Sequence, residues 1–323
     1  MRAPLLGLIF TAAAWQQAAA DLILSFPVDC TLGETCFLQQ YVDRDPGPGA
    51  QDFTCAALSY EGHSGTDIRV PDFAALSDNI AILAAADGVV RGVRDGMEDG
   101  PLTEARRAAL NGRDCGNGVV IDHGGGWETQ YCHLRQGSVR VRSGERVSAG
   151  TPLGFMGQSG RAEFPHLHLT VRKDGTVVDP FAPSSEPVCS ANQPTTLWVS
   201  DIPYQAGGLL SAGFLDAVPD FSDIRAGTAE ASELPVTGTA LVLWGYAFGT
   251  QSGDQLRLTI TAPDGSVFHE NRLTFERTQA EAFRASGRRL RASAWPSGTY
   301  TGTVALERGG QVIDQQTRTV TLN

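Results

Sequence analysis

A series of short apolar segments separated by glycines, within residues 67–181, most constrains how this chain can fold. Such segments predict strands, and the glycine turns between them predict that consecutive strands pair. The clearest pair is 119–123 with 127–133, which flank three glycines at 124–126. This half of the chain is therefore predicted to be mainly antiparallel β-sheet.

A second hairpin is predicted where residues 80–86 and 89–93 flank an Asp-Gly pair. The convincing helix in this half covers residues 102–111. It lies inside a polar insertion at 95–115, which could wall or cap a groove.

Short strands return after the Pro- and Ser-rich residues 182–187, which indicate a domain boundary. Their spacing and turns predict a β-sandwich of immunoglobulin-like type, interpreted as an accessory module. The fold class is thus mainly β, with an antiparallel β-sheet domain followed by a β-sandwich. In chain order, the predicted parts are an export signal (1–20), an irregular segment (21–62), the first β domain (63–183) and the sandwich (190–323).

The first twenty residues have the features of an export signal. Arg2 precedes a short apolar run, and small residues at 18–20 offer a cleavage site. No later stretch has the length and composition of a membrane span. The mature protein is predicted to start near Asp21, to have no membrane span, and to be exported to a periplasmic or extracellular location.

Six cysteines, all downstream of this signal, fit an oxidising compartment. Cys30–Cys36 and Cys115–Cys132 are the favoured pairs, and Cys189 could tie the linker back to the first domain. A thiolate zinc site is less favoured because Cys-x-x-Cys spacing does not occur. The net charge of −11 argues against a nucleic-acid partner.

Most of the imidazole in this chain is concentrated in three short strings. The chain has six histidines. Four of them, with one aspartate, fall in His63-Ser-Gly-Thr-Asp67, Tyr131-Cys-His133 and His166-Leu-His168. Residues i and i+2 of a strand share a face, so the imidazoles of His166 and His168 can reach one site. Imidazole and carboxylate are ligands that a catalytic zinc ion takes, with a fourth position left open.

In this order, the strings resemble the M23 family of zinc metallopeptidases, of the lysostaphin and LytM type. The resemblance covers about residues 60–181. It rests on His-x-Gly-x-Asp at 63–67, the hairpin ending in His133-Leu134, and Pro-His-x-His at 165–168. The glycine-spaced run Val141 to Gly150 and Gly157-Gln-Ser-Gly160 also match the family pattern.

The resemblance implies a role for each matching residue. His63, Asp67 and His168 match the ligands of Zn²⁺, and His133 and His166 match the two histidines that act on water and on the developing oxyanion. It implies an exported zinc endopeptidase whose substrate is the peptide part of peptidoglycan, in cross-links or stems. His123 and His269 are predicted to lie outside the site.

Two alternatives remain open at this stage. The chain could be a non-catalytic LytM-type scaffold or activator of other cell-wall hydrolases. It could also be a secreted metal carrier or adhesion module. The sequence leaves open which bond is cut, whether residues 21–62 cover the site, and the oligomeric state.

Overall fold

The computed structural model describes residues 22–184 and 189–323. The predicted export signal lies outside these residues, as does part of the predicted linker. Among the described residues, no helix is long and apolar enough to cross a membrane.

The first half of the described chain is built from short strands with little helix. In chain order its elements are β1 (Phe37–Gln40), β2 (Thr66–Arg69), a 3₁₀ helix (Ala74–Asp78), β3 (Ala81–Leu83), β4 (Gly88–Arg94), α1 (Glu104–Ala109), β5 (Asn117–Gly124), β6 (Trp127–Leu134), β7 (Arg146–Val147), β8 (Pro152–Phe155), β9 (His166–Lys173) and β10 (Thr176–Val177). The larger sheet has the order β1-β2-β9-β6-β5-β4-β7, with β10 on β9, and its ladders are antiparallel.

Strand β9 lies inside this sheet, between β2 and β6. Leu167 and Leu169 are fully buried in the main core cluster. Because side chains alternate along a strand, His166 and His168 point to the opposite face. Asp67 of β2 lies directly opposite His168 in the ladder. The pairing of β2 with β9 therefore brings two separate sequence motifs together.

The hairpin predicted at 119–133 is confirmed, since β5 pairs with β6 across the glycine turn. The predicted helix in the insertion is also present, as α1. Thr103 caps it by accepting a hydrogen bond from the backbone N–H of Arg106.

The hairpin predicted at 80–93 is wrong. Strand β3 pairs with β8 in a separate two-stranded sheet, whereas β4 pairs with β5 and β7. The residues between them, Ala84, Ala85 and Ala86, are small and buried. The backbone N–H groups of Ala84 and Ala85 do not form hydrogen bonds to β4. Ala84 N–H donates to the carbonyl of Thr151, and Ala85 N–H donates to the hydroxyl of Tyr131. Because this run passes through the core, the Asp-Gly pair does not close a hairpin.

The N-terminal segment, predicted to be irregular, contributes β1 to the edge of the larger sheet. The rest of it is held by side-chain packing and disulfides. Tyr41 packs edge-on against Phe53 and Phe181, with ring centroids 5.2 and 5.1 Å apart. The segment is therefore part of the first core.

All six cysteines form disulfides, in the pairs Cys30–Cys36, Cys55–Cys189 and Cys115–Cys132. The two favoured pairings are confirmed, and Cys189 does tie the start of the second half to the N-terminal segment. The thiolate zinc site is excluded for these cysteines because none of them is free.

The second half consists of two packed sheets. Its elements are β11 (Gly208–Leu215), α2 (Phe221–Ala226), β12 (Glu233–Leu234), β13 (Ala240–Thr250), β14 (Gln255–Thr261), β15 (Val267–Thr274), β16 (Gln279–Arg289), β17 (Gly298–Arg308) and β18 (Gln311–Leu322). The sheets have the orders β11-β13-β16 and β12-β18-β17-β14-β15. They pack so closely that a Cβ on Gly245 of β13 would lie 2.5 Å from Val304 Cγ1 of β17. An immunoglobulin-like type of sandwich stays a prediction.

Buried contacts join the two halves of the described chain. The ring of Phe37 in β1 lies 5.7 Å from that of Phe248 in β13, within one apolar cluster. Leu197 and Trp198 pack into the core of the first half, although they fall within the predicted sandwich range. Arg69 in β2 pairs with Glu281 in β16 at 2.5 Å. The hydrophobic core of the first half therefore includes residues that follow the domain boundary predicted at 182–187.

A buried carboxyl group, Asp179, makes the stability of this core depend on pH. Burial raises the pKa of Asp179 to about 7, although the guanidinium of Arg44 lies 4.0 Å away. An unfolded aspartate has a pKa of about 3.9. Between these values the folded protein binds the proton that the unfolded chain releases, so this contribution to stability is greatest at low pH and is lost as pH rises toward 7.

We expect Asp179→Asn to remove this pH dependence. An asparagine still offers an oxygen to the backbone N–H of Phe181, which now donates to Asp179 Oδ1 at 2.9 Å. The difference in unfolding free energy between variant and wild type should shift in favour of the variant by on the order of 2–3 kcal/mol from pH 5 to pH 8. Urea unfolding at both pH values measures it. A difference that does not change with pH would show that the Asp179 carboxyl group titrates normally.

Candidate metal centre

Three side chains from two neighbouring strands and the loop before them converge on one point. His63 lies in the loop that enters β2, Asp67 lies in β2, and His168 lies in β9. Asp67 Oδ1 is 2.8 Å from His168 Nδ1 and 3.2 Å from His63 Nε2, and these two nitrogens are 3.2 Å apart. One candidate ligand atom from each residue lies within 4.8 Å of the others, so the group could bind a metal ion.

Hydrogen bonds on the outer side fix how two of these rings present their nitrogens. His63 Nδ1 donates to the backbone carbonyl of Tyr41 at 2.6 Å, which leaves Nε2 as the atom facing Asp67. His168 Nε2 lies 3.1 Å from Thr170 Oγ1, which leaves Nδ1 facing the centre. Partners of this kind orient metal-binding histidines and select the tautomer.

The loop between His63 and Asp67 passes close to the ring of His168. A Cβ on Gly65 would lie 2.6 Å from His168 Nε2 and 2.7 Å from the carbonyl oxygen of Leu169. No side chain fits in that space, so the glycine of the His-x-Gly-x-Asp motif has a steric role. It lets the loop bring both ends of the motif to one site.

The charges of the group favour an ionised carboxylate at its centre. Burial alone would raise the pKa of Asp67, but attraction to His63 and His166 holds it well below its usual range. Burial would likewise lower the pKa of His63, yet Asp67 raises it through its charge and a hydrogen bond. A buried anion surrounded by imidazoles is the electrostatic setting that a divalent cation would satisfy.

His133 and His166 lie beside this group, with their ring centroids 4.6 Å apart. His133 Nδ1 donates to the carbonyl of Ser159 at 2.7 Å, and His166 Nδ1 to that of Phe164 at 2.8 Å. Their Nε2 atoms therefore carry the lone pairs. His166 Nε2 lies 3.5 Å from Asp67 Oδ1, so this ring faces the candidate ligands directly.

Both of these histidines have pKa values below the usual range of an imidazole, which favours the neutral form. Burial, together with the charges of His166 and His168, holds the pKa of His133 well below its usual range. Burial also lowers the pKa of His166, against the attraction of Asp67. A neutral imidazole with an unprotonated Nε2 can accept a proton.

The backbone of His133 is held in an unusual conformation. Its φ is +66°, in the left-handed region that residues other than glycine rarely adopt. The N–H of His133 donates to the carbonyl of Cys115, and Cys115 is disulfide-bonded to Cys132. These constraints fix where the imidazole points, and such outliers cluster at functional sites.

The structure brings all five predicted site residues together and leaves the other histidines out. His123 lies elsewhere, bonded to the carbonyl of Asp87 and to Thr129 Oγ1. His269 lies in the second half, bonded to Ser286. Among the described residues, the group that could bind a metal ion contains no side chain from the N-terminal segment.

Sequence reasoning missed the carbonyl groups that orient the rings, those of Tyr41, Ser159 and Phe164. Ser159 lies in the Gly-x-Ser-Gly motif, so the sequence identified its position. The sequence did not indicate that its carbonyl accepts a hydrogen bond from His133. Tyr41 is 22 residues before His63 and belongs to none of the sequence motifs.

The donor set fits zinc. Two imidazoles and one carboxylate are a ligand set found in catalytic zinc sites, in which a fourth position stays open. A comparison with known families agrees with the resemblance seen in the sequence, because residues 61–180 match the model described as peptidase family M23. These residues form an M23 peptidase domain.

Named relatives match within the M23 domain. The DD-carboxypeptidase/endopeptidase Mpg of Neisseria meningitidis is 32% identical over 120 residues, which cover 37% of this chain and 22% of Mpg. The peptidoglycan DD-endopeptidase ShyA of Vibrio cholerae is 33% identical over 117 residues, which cover 36% of this chain and 22% of ShyA. The chain thus matches about a fifth of the length of these relatives.

Among solved structures, a zinc-containing peptidase from Vibrio cholerae is 23% identical, covers 50% of this chain and 41% of its own, and has a TM-score of 0.28.

Proposed function

We propose that this protein is a zinc-dependent endopeptidase that hydrolyses peptide bonds in peptidoglycan. The observation that carries the proposal is the convergence of His63, Asp67 and His168, with His133 and His166 beside them, inside the M23 domain. In this proposal the first three bind zinc and the other two handle protons.

The names of two relatives support the substrate class. Mpg and ShyA are both named as endopeptidases, ShyA of peptidoglycan, and both match across the M23 domain. The scaffold alternative is not favoured, because such proteins typically lack one or more ligands and this chain has the full set. The proposed location is outside the cytoplasm, which three disulfides support.

The roles of the protein's own groups follow from their geometry. Zinc, when bound by His63, Asp67 and His168, would supply Lewis-acid chemistry and acidify water. His133 and His166 each present a neutral Nε2 toward the same space. One of them can take the proton of the attacking water and deliver it to the leaving amine. When its Nε2 is protonated, the other can donate a hydrogen bond to the developing oxyanion.

Bonds that hold the rings also reduce the cost of reaching the transition state. Both imidazoles are anchored through Nδ1 to backbone carbonyls of the same stretch, at Ser159 and Phe164. Fixed donors and acceptors need no reorganisation as charge develops, which is a large part of catalysis in such sites.

Metal analysis combined with a cleavage assay tests the proposal. Purified mature protein should contain about one zinc ion per chain. It should release new amino groups from purified peptidoglycan, and a chelator should abolish that release until zinc is restored. Zinc-loaded protein that releases no amines from any cross-linked peptidoglycan would rule out the proposed activity.

A further inference from the structure

A cavity of about 530 Å³ lies between the M23 domain and the second half of the chain. One wall is Phe164 and Pro165, and the opposite wall is the exposed side of α2, at Ser222 and Arg225. Leu102, in the part of the insertion before α1, lines it as well. This α2 cleft is of the size that ligand sites commonly have.

The α2 cleft lies next to His166, with the ring of Phe164 between them. The ring of Phe164 packs on the ring of His166, with centroids 4.5 Å apart. Pro165 is the residue before His166. Phe164 therefore forms a wall shared by the cleft and His166.

Helix α2 is fixed in place against the M23 domain. The carbonyl of Arg225 accepts a hydrogen bond from the N–H of Phe73, and its guanidinium donates to the carbonyl of Glu163. The second half of the chain thus supplies a rigid wall of the cleft.

Two arginines, Arg69 and Arg225, line the cleft. Arg69 and Arg225 share one carboxylate, Glu281, at 2.5 and 3.6 Å. Arg69 is buried, whereas the side chain of Arg225 is 38% exposed. The carboxylate of Asp72 also interacts with Arg69, so Arg225 is the more exposed of the two cations in the cleft and the one that a ligand can reach.

We propose that the α2 cleft is a substrate subsite, in which Arg225 binds a carboxylate of the peptide next to the scissile bond. The apolar wall at Phe164 and Leu102 would pack against the peptide. This inference rests on the proposed peptidoglycan endopeptidase activity and adds a specificity to it. The protein should prefer cross-linked peptides whose neighbouring carboxyl group is free over those in which it is amidated.

Steady-state cleavage of two cross-linked muropeptides, identical except for free or amidated carboxyl groups, tests the subsite. Wild type should prefer the free form. In Arg225→Gln the preference should fall by about tenfold, mainly through KM, because a hydrogen bond to a charged group is lost. Arg225→Lys should retain part of it. The matched control is Arg272→Gln, which removes a half-exposed arginine 3.5 Å from Glu307, away from the cleft.

Arg225→Gln also removes the ion pair between Arg225 and Glu281, so a second variant that keeps this pair is needed. Ser222 is exposed on α2, so Ser222→Trp should fold and fill the cleft, raising KM for both substrates. Equal cleavage of the two substrates by wild type, or an unchanged preference in Arg225→Gln, would overturn the subsite alone. If wild type cleaves neither substrate, the proposed activity fails and the subsite fails with it.

Discussion

Asp67→Asn is expected to abolish both metal binding and peptide hydrolysis. The substitution keeps the shape of the side chain and removes the charge that lies 2.8 Å from His168 and 3.2 Å from His63. A bound metal ion contributes several kcal/mol of charge stabilisation, so the rate should fall by at least about a thousandfold. Zinc content and release of amino groups from peptidoglycan, measured on the same preparation, give the result.

The control for this prediction is Asp122→Asn. Asp122 lies in the same sheet, in β5, but its side chain is exposed and accepts only a local bond from the N–H of Gly124. This variant should keep zinc and activity. If Asp67→Asn keeps a full complement of zinc, then the assignment of Asp67 as a ligand is incorrect.

His133→Ala and His166→Ala are each expected to lower kcat by about 10²–10³ while zinc stays bound. Each ring presents one Nε2 to the site and is not part of the three-residue group that could bind metal. Loss of a single proton-handling or oxyanion-binding group typically costs this much. Single-turnover rates and zinc content together separate a catalytic role from a ligand role.

His123→Ala serves as the matched histidine control, because His123 is held by Asp87 and Thr129 outside the centre. Its activity should stay close to that of wild type. Loss of zinc from both His133→Ala and His166→Ala would contradict their roles and enlarge the ligand set.

Patterns local to one element were readable from the sequence. His166 and His168 are two residues apart, and a strand places such residues on one face wherever it lies. The glycines at 124–126 identified the β5–β6 hairpin because they supply the turn that pairs those strands. The disulfides Cys30–Cys36 and Cys115–Cys132 join residues close in sequence, and both were predicted.

Features set by tertiary contacts were not readable. The 80–93 hairpin was wrong because the alanines after β3 run into the core, and β3 pairs with a strand about 70 residues later. The carbonyl groups of Tyr41 and Ser159 orient the rings of His63 and His133. Because every residue has a backbone carbonyl, the identity of these two residues gave no sequence signal. Arg69 and Glu281 are 212 residues apart, and neither motif nor spacing linked them.

The α2 cleft and the metal centre beside it show the same contrast between local patterns and tertiary contacts. The M23 motifs predicted the metal centre, whereas the wall that faces it comes from the second half, which had no recognisable site. The proposed subsite therefore depends on a contact between two halves that the sequence presented as separate.

The most direct test of the account is digestion of a purified cross-linked muropeptide in heavy-oxygen water, followed by mass spectrometry. Zinc-loaded protein should convert it into smaller peptides, with heavy oxygen in one new carboxyl group, and a chelator should prevent this conversion. The position of the label identifies the bond that is cut. An intact muropeptide after incubation with zinc-loaded protein, or cleavage that persists unchanged in Asp67→Asn, would contradict the account.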